Sequence, residues 1–207
     1  MIQEYVWEVK VKNTPLLKKK CNRCDNSRFY CSEKFRMNAQ KKSIDIWLIY
    51  KCTKCNSTYN ATIITRTKPE VINKELFGKF SDNHTETAWE HAFSAETARV
   101  NGLEFDFARV EYYIESNGHS LENLINCGNE IVTFKIKYPF NFNLKISTII
   151  KETLRISTKQ LIQLIDGDVI SIHSKCLKKR DKAKSGQVVK IDVERLKVIY
   201  NLWVNGH

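Results

Sequence analysis

Cys21-Asn22-Arg23-Cys24 and Cys52-Thr53-Lys54-Cys55 bracket a basic, aromatic stretch, and their spacing decides how residues 21–55 fold. Two residues between cysteines let both sulfurs of a pair reach one ion at about 2.3 Å while the backbone between them turns tightly. Two such pairs supply four thiolates, the ligand set of a closed, tetrahedral structural Zn2+ site, so Cys21, Cys24, Cys52 and Cys55 are the expected metal ligands. Asp25 and Asn56 follow the pairs, at positions that often need a left-handed backbone, which Gly, Asn and Asp tolerate best. The 27 residues between Cys24 and Cys52 exceed the roughly 15 to 20 of the common pattern, and a longer hairpin takes up the excess. Disulfides and a redox pair are the competing uses of these cysteines. Seven is an odd number, Met1-Ile2-Gln3-Glu4-Tyr5 carries no secretory signal, and two pairs with strands between them read as structural. Cys31 reads as a small buried hydrophobe.

Outward from the cysteines, residues 5–11 alternate Val9 and Val11 with Lys10 and form an opening strand stopped by Asn13-Thr14-Pro15. Residues 44–50 form a strand leading into the second pair, and residues 59–66 one leading out. Strand, turn, strand, turn, strand is the plan of a zinc ribbon, whose thin core a metal staples.

Formal net charge is +11 and the isoelectric point about 9.3, which points to a polyanionic partner. The charge is uneven: residues 1–68 carry 15 Lys/Arg against 5 Asp/Glu, residues 69–128 carry 4 against 11, and residues 129–207 carry 15 against 7. Basic ends around an acidic middle present two surfaces for one anion, or a middle that folds back on an end. Nine of the basic residues fall between Lys18 and Lys42, where Lys34, Phe35 and Arg36, with Phe29 and Tyr30, interleave cations and rings. Such a pattern suits phosphates and unpaired bases, and equally a ribbon core with a solvated outer face.

From Pro69 the pattern turns helical, over 70–80 and then 85–100, with Asn101-Gly102 as the stop. His84 and His91 would stand two helical turns apart, roughly 10 Å, too far for one metal. Residues 103–107 alternate, residues 110–114 are strand-like, and Asn117-Gly118 turns the chain. Residues 131–138 read as a strand, 144–154 as a helix, and a second helix starts at the Ser157 cap. A short strand over 169–172, a basic loop from Lys175 to Lys184 and a strand over 187–193 complete a compact αβ module. The expected fold is therefore α+β: a β-rich zinc ribbon over 1–68, an acidic αβ connector over 69–128 and a small αβ module over 129–207.

The layout of that last module, with Leu144, Ile146, Ile149 and Ile150 on one helix, Ser157 through Ile165 on the next, Gly167-x-Val169, and Lys184-Ser185-Gly186, resembles the small RNA-binding domain named after the fourth protein of the small ribosomal subunit. Ser147, Thr158 and Gln187 stand where that family carries Asp, Arg and an acid. The resemblance implies RNA contacts, for which Lys159, Lys175, Lys178, Lys179, Arg180, Lys182 and Lys184 are the candidates, beside Lys34, Phe35 and Arg36. Nearly all 207 residues, above all Cys21-x-x-Cys24, Lys34-Phe35-Arg36-x-Asn38-Ala39 and Asp45 through Cys55, are similar to a bacterial family catalogued as a domain of unknown function, number 1062. That resemblance implies a zinc-ribbon protein of the cytoplasm and no particular activity.

Taken together, these features lead to a zinc-binding protein of a reducing cytoplasm that binds nucleic acid, RNA favoured over DNA, without catalysis. A protein-interaction adaptor and a DNA-binding regulator are the alternatives. No apolar run approaches the ~20 residues of a membrane span, and no small-molecule substrate site is evident. A Gly-rich phosphate loop, a deaminase pattern and a nucleophile with its base are all missing, which argues against an enzyme.

Overall fold

The computed structural model describes residues 4–40, 42–116, 120–172, 175–178 and 180–205. The expected turn at Asn117-Gly118, and Lys41 and Lys179 of the basic clusters, lie outside the described residues. Two compact units result, one of Val11–Glu111 and one of Met1–Lys10 with Tyr112–His207. The charge boundaries at 68 and 128 fall inside these units. Strand β1 (Glu4–Val11) follows the expected alternation, with Trp7 and Val9 fully buried, and it belongs to the sheet of the second unit.

The Val11–Glu111 unit is a five-stranded sheet with three helices on it. Its strands are β2 (Leu16–Lys18), β3 (Arg28–Gln40), β4 (Ser43–Cys52), β5 (Thr58–Thr67) and, after the helices, β6 (Glu104–Asp106), in the order β5-β4-β3-β2-β6. β3 and β4 form the long hairpin that the 27-residue spacing requires, pairing from Phe29↔Cys52 to Gln40↔Ser43. In β4 every second residue is buried, so Ile44, Ile46, Leu48, Tyr50 and Cys52 face the core. A bulge between Cys31 and Lys34 puts Glu33 at φ 59° and turns its carboxylate to accept the Trp89 indole N–H at 2.6 Å.

Helix α1 (Lys74–Ser81) follows a 3-10 turn at Pro69–Val71; α2 (Thr85–Phe93) and α3 (Ala95–Asn101) come next. The single helices expected over 70–80 and 85–100 are thus interrupted, because polar side chains at the breaks satisfy the free N–H groups. Asn73 accepts from Glu75 and Leu76, and Ser94 ends α2 and caps α3 by accepting from Thr97. Gly102 ends α3 at φ 58°, as the Asn101-Gly102 pair predicts. Phe80, Ala88 and Ala92 from the helices join Leu17, Phe35, Ile46, Leu48 and Tyr50 in one core. β6 lies against β2, where Glu104 pairs with Lys18 and Asp106 with Arg28 at 3.3 Å. This part of the acidic middle therefore folds back on the basic N-terminal block.

In the other unit, β7 (Tyr112–Ser116), helix α4 (Leu121–Ile125), β8 (Ile131–Lys137), α5 (Ile146–Leu154), α6 (Thr158–Asp166), β9 (Ile170–Ile172), β10 (Lys175–Cys176), β11 (Val188–Asp192) and α7 (Val193–Asn205) follow one another. Their six-stranded sheet runs β10-β9-β11-β8-β1-β7, with β1 parallel to β8 and β11 antiparallel to β8 and β9. The module expected over 129–207 thus shares its sheet with the N-terminal strand. Trp7 stacks on Phe134 with centroids 4.1 Å apart, and Glu8 takes the ammonium groups of Lys10 and Lys137 at 2.9 Å each. Ser157 and Gln160 close a reciprocal capping box at the start of α6. α7, which the sequence reading did not anticipate, buries Val193 and Leu196. Among the described residues, no helix is long and apolar enough to cross a membrane.

Candidate metal centre

The four cysteines predicted as ligands converge. Cys21 and Cys24 lie in the turn between β2 and β3, Cys52 ends β4 and Cys55 begins the return to β5, and their sulfurs all lie within 4.8 Å of one another. The Cys21 and Cys55 sulfurs are 3.6 Å apart, and so are those of Cys24 and Cys52. A regular tetrahedron with 2.3 Å metal–sulfur arms has edges of ~3.8 Å, so these residues fit a four-coordinate metal ion. All seven cysteines are free thiols, and at 3.6 Å these sulfurs stand at tetrahedral-edge separation.

The two turns share one construction. Cys21 N–H donates to Asn26 O and Cys52 N–H to Ser57 O, each at 2.8 Å. Asn56 closes the second turn at φ 57°, as expected for the residue after the pair. Asp25 is not among the left-handed residues, and its carboxylate instead receives Lys54 Nζ from the other turn at 2.6 Å. That ammonium holds the Asp25 carboxyl below the usual carboxylate range. Asn26 ties the turns together: its amide N–H₂ reaches Arg28 O and Thr53 Oγ1 at 2.8 Å and Cys52 Sγ at 3.2 Å. The Ser57 hydroxyl lies 3.0 Å from Cys21 Sγ and 3.2 Å from Cys55 Sγ. Sequence reasoning missed Asn26 and Ser57. Their signal was position, since each follows the second cysteine of its pair by two residues.

These hydrogen bonds set the acidity of the sulfurs. The Ser57 hydroxyl and the Arg23 N–H bring the Cys21 thiol down. Burial pushes Cys52 up, but the Asn26 amide and the N–H groups of Cys55 and Lys54 outweigh it and bring the thiol down to about 6. At Cys24 the Asn26 N–H acts in the same downward sense, yet burial and the three neighbouring sulfurs raise it to about 12. Four adjacent thiolates would repel one another, and a cation held among the sulfurs would offset that repulsion. Cys31 stands apart, buried in the core with its thiol pushed up to about 12 by that burial.

The predicted nucleic-acid contacts divide between the units. Lys34 and Arg36 are exposed on β3. Phe35 between them points the other way, 9% exposed and edge-on to Phe80 at 4.8 Å, so its face is not presented to a base. Phe29 is likewise buried at 2%, whereas Tyr30 is 37% exposed and donates to Asn56 Oδ1 at 3.2 Å. In the other unit Lys159 is exposed on α6, Lys175 on β10, and Lys178, Arg180, Lys182 and Lys184 in the loop that follows. The loop is anchored by Ala183 N–H to Leu144 O at 2.8 Å and by Lys182 Nζ to Asn143 Oδ1 at 2.8 Å. His84 caps α2 through its ring, and His91 stacks on Phe80.

No curated protein and no solved structure matches this chain. A family model does match, over residues 37–176, a span that contains Cys52 and Cys55 and leaves the first pair outside. With more than half of its length matched, the chain belongs to the family described as protein of unknown function DUF1062.

Proposed function

We propose that this chain is a zinc-stapled, cytoplasmic, non-catalytic protein that binds nucleic acid, with structured RNA such as rRNA or tRNA as its target. One observation carries the reading. Acidic residues pair with Lys18, Arg28 and Lys54, while Lys34 and Arg36 in one unit and Lys175, Lys178, Arg180, Lys182 and Lys184 in the other have no carboxylate partner among the described residues. Cations whose charge no internal carboxylate neutralises are free to displace counterions from a phosphate backbone. Two such surfaces on one chain raise each other's effective concentration. Four sulfur ligands leave zinc no open position for water, which suits a structural role in a ribbon. RNA is preferred because the sequence from Leu144 to Gly186 resembles the ribosomal-protein-type RNA-binding module.

The test is affinity of the full chain for an rRNA fragment and for duplex DNA across a salt series. Binding should fall steeply with salt, favour the RNA, and lose slope when Lys175, Lys178, Lys182 and Lys184 become Ala. Affinity that is flat between low and moderate salt refutes the reading. An adaptor role is the second reading, supported by Val198, Leu202 and Val204, which are 57–69% exposed on α7. A protein pull-down that survives nuclease treatment would favour it.

A further inference from the structure

We infer that the pocket beside the two cysteine turns is a phosphate site whose walls are held in place by the metal. In its nucleic-acid form this rests on the reading above and assigns it one particular phosphate contact. The pocket has a volume of about 290 Å³, and Lys19, Lys20, Arg23, Asn56, Ser57 and Tyr59 stand in its wall with no Asp or Glu among the lining residues. Lys20 and Arg23 are exposed and have no carboxylate partner among the described residues, and the Lys19 ammonium rests 4.6 Å from the centroid of the Tyr59 ring. Asp25, the acid nearest in sequence, is engaged with Lys54. Three cations, hydroxyl and amide donors and an acid-free lining are the chemistry that receives a phosphate oxygen.

The walls come from both turns. Arg23 belongs to the first, and Asn56 and Ser57 to the second; the Ser57 hydroxyl touches a sulfur of each pair. A metal that holds the four sulfurs together thereby holds the pocket together. A zinc tetrathiolate carries −2, so the rival account is that the three cations only balance that charge. Against it, the hydrogen-bond partners of the sulfurs outside the four cysteines are backbone N–H groups, the Asn26 amide and the Ser57 hydroxyl, and among the described residues none is Lys19, Lys20 or the Arg23 guanidinium.

The experiment uses the full-length, zinc-loaded protein, titrated with inorganic phosphate and followed by amide NMR, and then with a short single-stranded oligoribonucleotide. Phosphate should produce saturable shifts at Arg23, Asn56 and Ser57 that vanish when a chelator removes zinc. The Lys20→Ala/Arg23→Ala variant should weaken phosphate about tenfold or more, the loss expected for charge-assisted hydrogen bonds, with zinc stoichiometry unchanged. Arg23→Lys should retain part of the affinity. In the oligoribonucleotide arm the double variant should flatten the salt dependence by about 0.7 in log–log slope for each phosphate it no longer neutralises. No saturable shift, shifts that persist without zinc, or a double variant that loses zinc affinity and keeps phosphate would each overturn the inference. Saturable phosphate binding without oligoribonucleotide binding keeps the site, as one for a free phosphate-bearing ligand, and removes the nucleic-acid reading. Oligoribonucleotide binding with an unchanged slope in the double variant does the reverse.

Discussion

Replacing Asn26 with Ala tests whether the two cysteine turns are held as the geometry indicates. The Asn26 amide has two N–H groups and three acceptors: Arg28 O and Thr53 Oγ1 at 2.8 Å and Cys52 Sγ at 3.2 Å. Arg28 O keeps another donor when the amide is removed, because the Thr53 N–H also reaches it at 3.1 Å. Cys52 Sγ keeps the N–H groups of Lys54 and Cys55 and its contact with Cys24 Sγ but loses the Asn26 amide, the side-chain donor that reaches it from outside the four cysteines. The loss therefore falls mainly on the sulfur and on the link between the turns. Groups that hydrogen-bond to metal ligands typically contribute 10- to 100-fold in metal affinity, and Asn26→Ala is expected in that range. Zinc competition against a chromophoric chelator measures it, with the protein's circular dichroism as a check on folding. Asn26→Asp should be at least as damaging, because a carboxylate beside a thiolate repels it. Thr53→Ala, which leaves the amide-to-sulfur contact in place, should cost less. Zinc affinity in Asn26→Ala within about twofold of the parent would refute the argument that hydrogen bonds to sulfur position the ligands.

Three other measurements probe the core and the helix ends. Tyr50 is fully buried with a hydroxyl that has no partner among the described residues, so Tyr50→Phe should stabilise the protein by about 1 kcal/mol in chemical denaturation; a destabilised variant would mean that the hydroxyl is satisfied. His91 packs against Phe80 and Phe35, and burial lowers its pKa. Its folded value thus lies below the unfolded value of ~6.5, so its contribution is present above that pH and is lost as pH falls through the folded value. His91→Phe should flatten this limb of the stability curve, and an unchanged limb would refute the assignment. Gly102 sits at φ 58° with open space where a Cβ would stand, so Gly102→Ala should cost about 1 kcal/mol from backbone strain alone, and Gly102→Asn less; equal stability of all three would contradict the left-handed cap.

Much of the local structure was legible. The Cys-x-x-Cys pairs, the period-two burial of Ile44 to Cys52, the Ser157 cap and the Gly102 stop are each written in a few adjacent residues, and each forms where those residues indicate. The breaks at Asn73 and Ser94 were harder to see, because the surrounding residues favour helix on both sides. Only the capping hydrogen bonds show where one helix ends and the next begins. Phe35 and Tyr30 have the same cationic neighbourhood in sequence, yet one fills the core against Phe80 and the other is exposed.

The sequence by itself determined which cysteines could share an ion, that β1, β4, β5 and β8 are strands, though not β2, β3 or β10, and that positive charge exceeds negative at both ends of the chain. The tertiary structure decided what those pieces meet: β1 lies parallel to β8, β6 brings Glu104 and Asp106 to Lys18 and Arg28, and Lys20, Arg23 and Ser57 line one pocket. The reason is physical. Turns, caps and periodicity follow from neighbours a few residues apart, whereas backbone hydrogen bonds between strands are the same for every side chain. A strand's partner is therefore chosen by which distant surfaces the whole chain can bury at once.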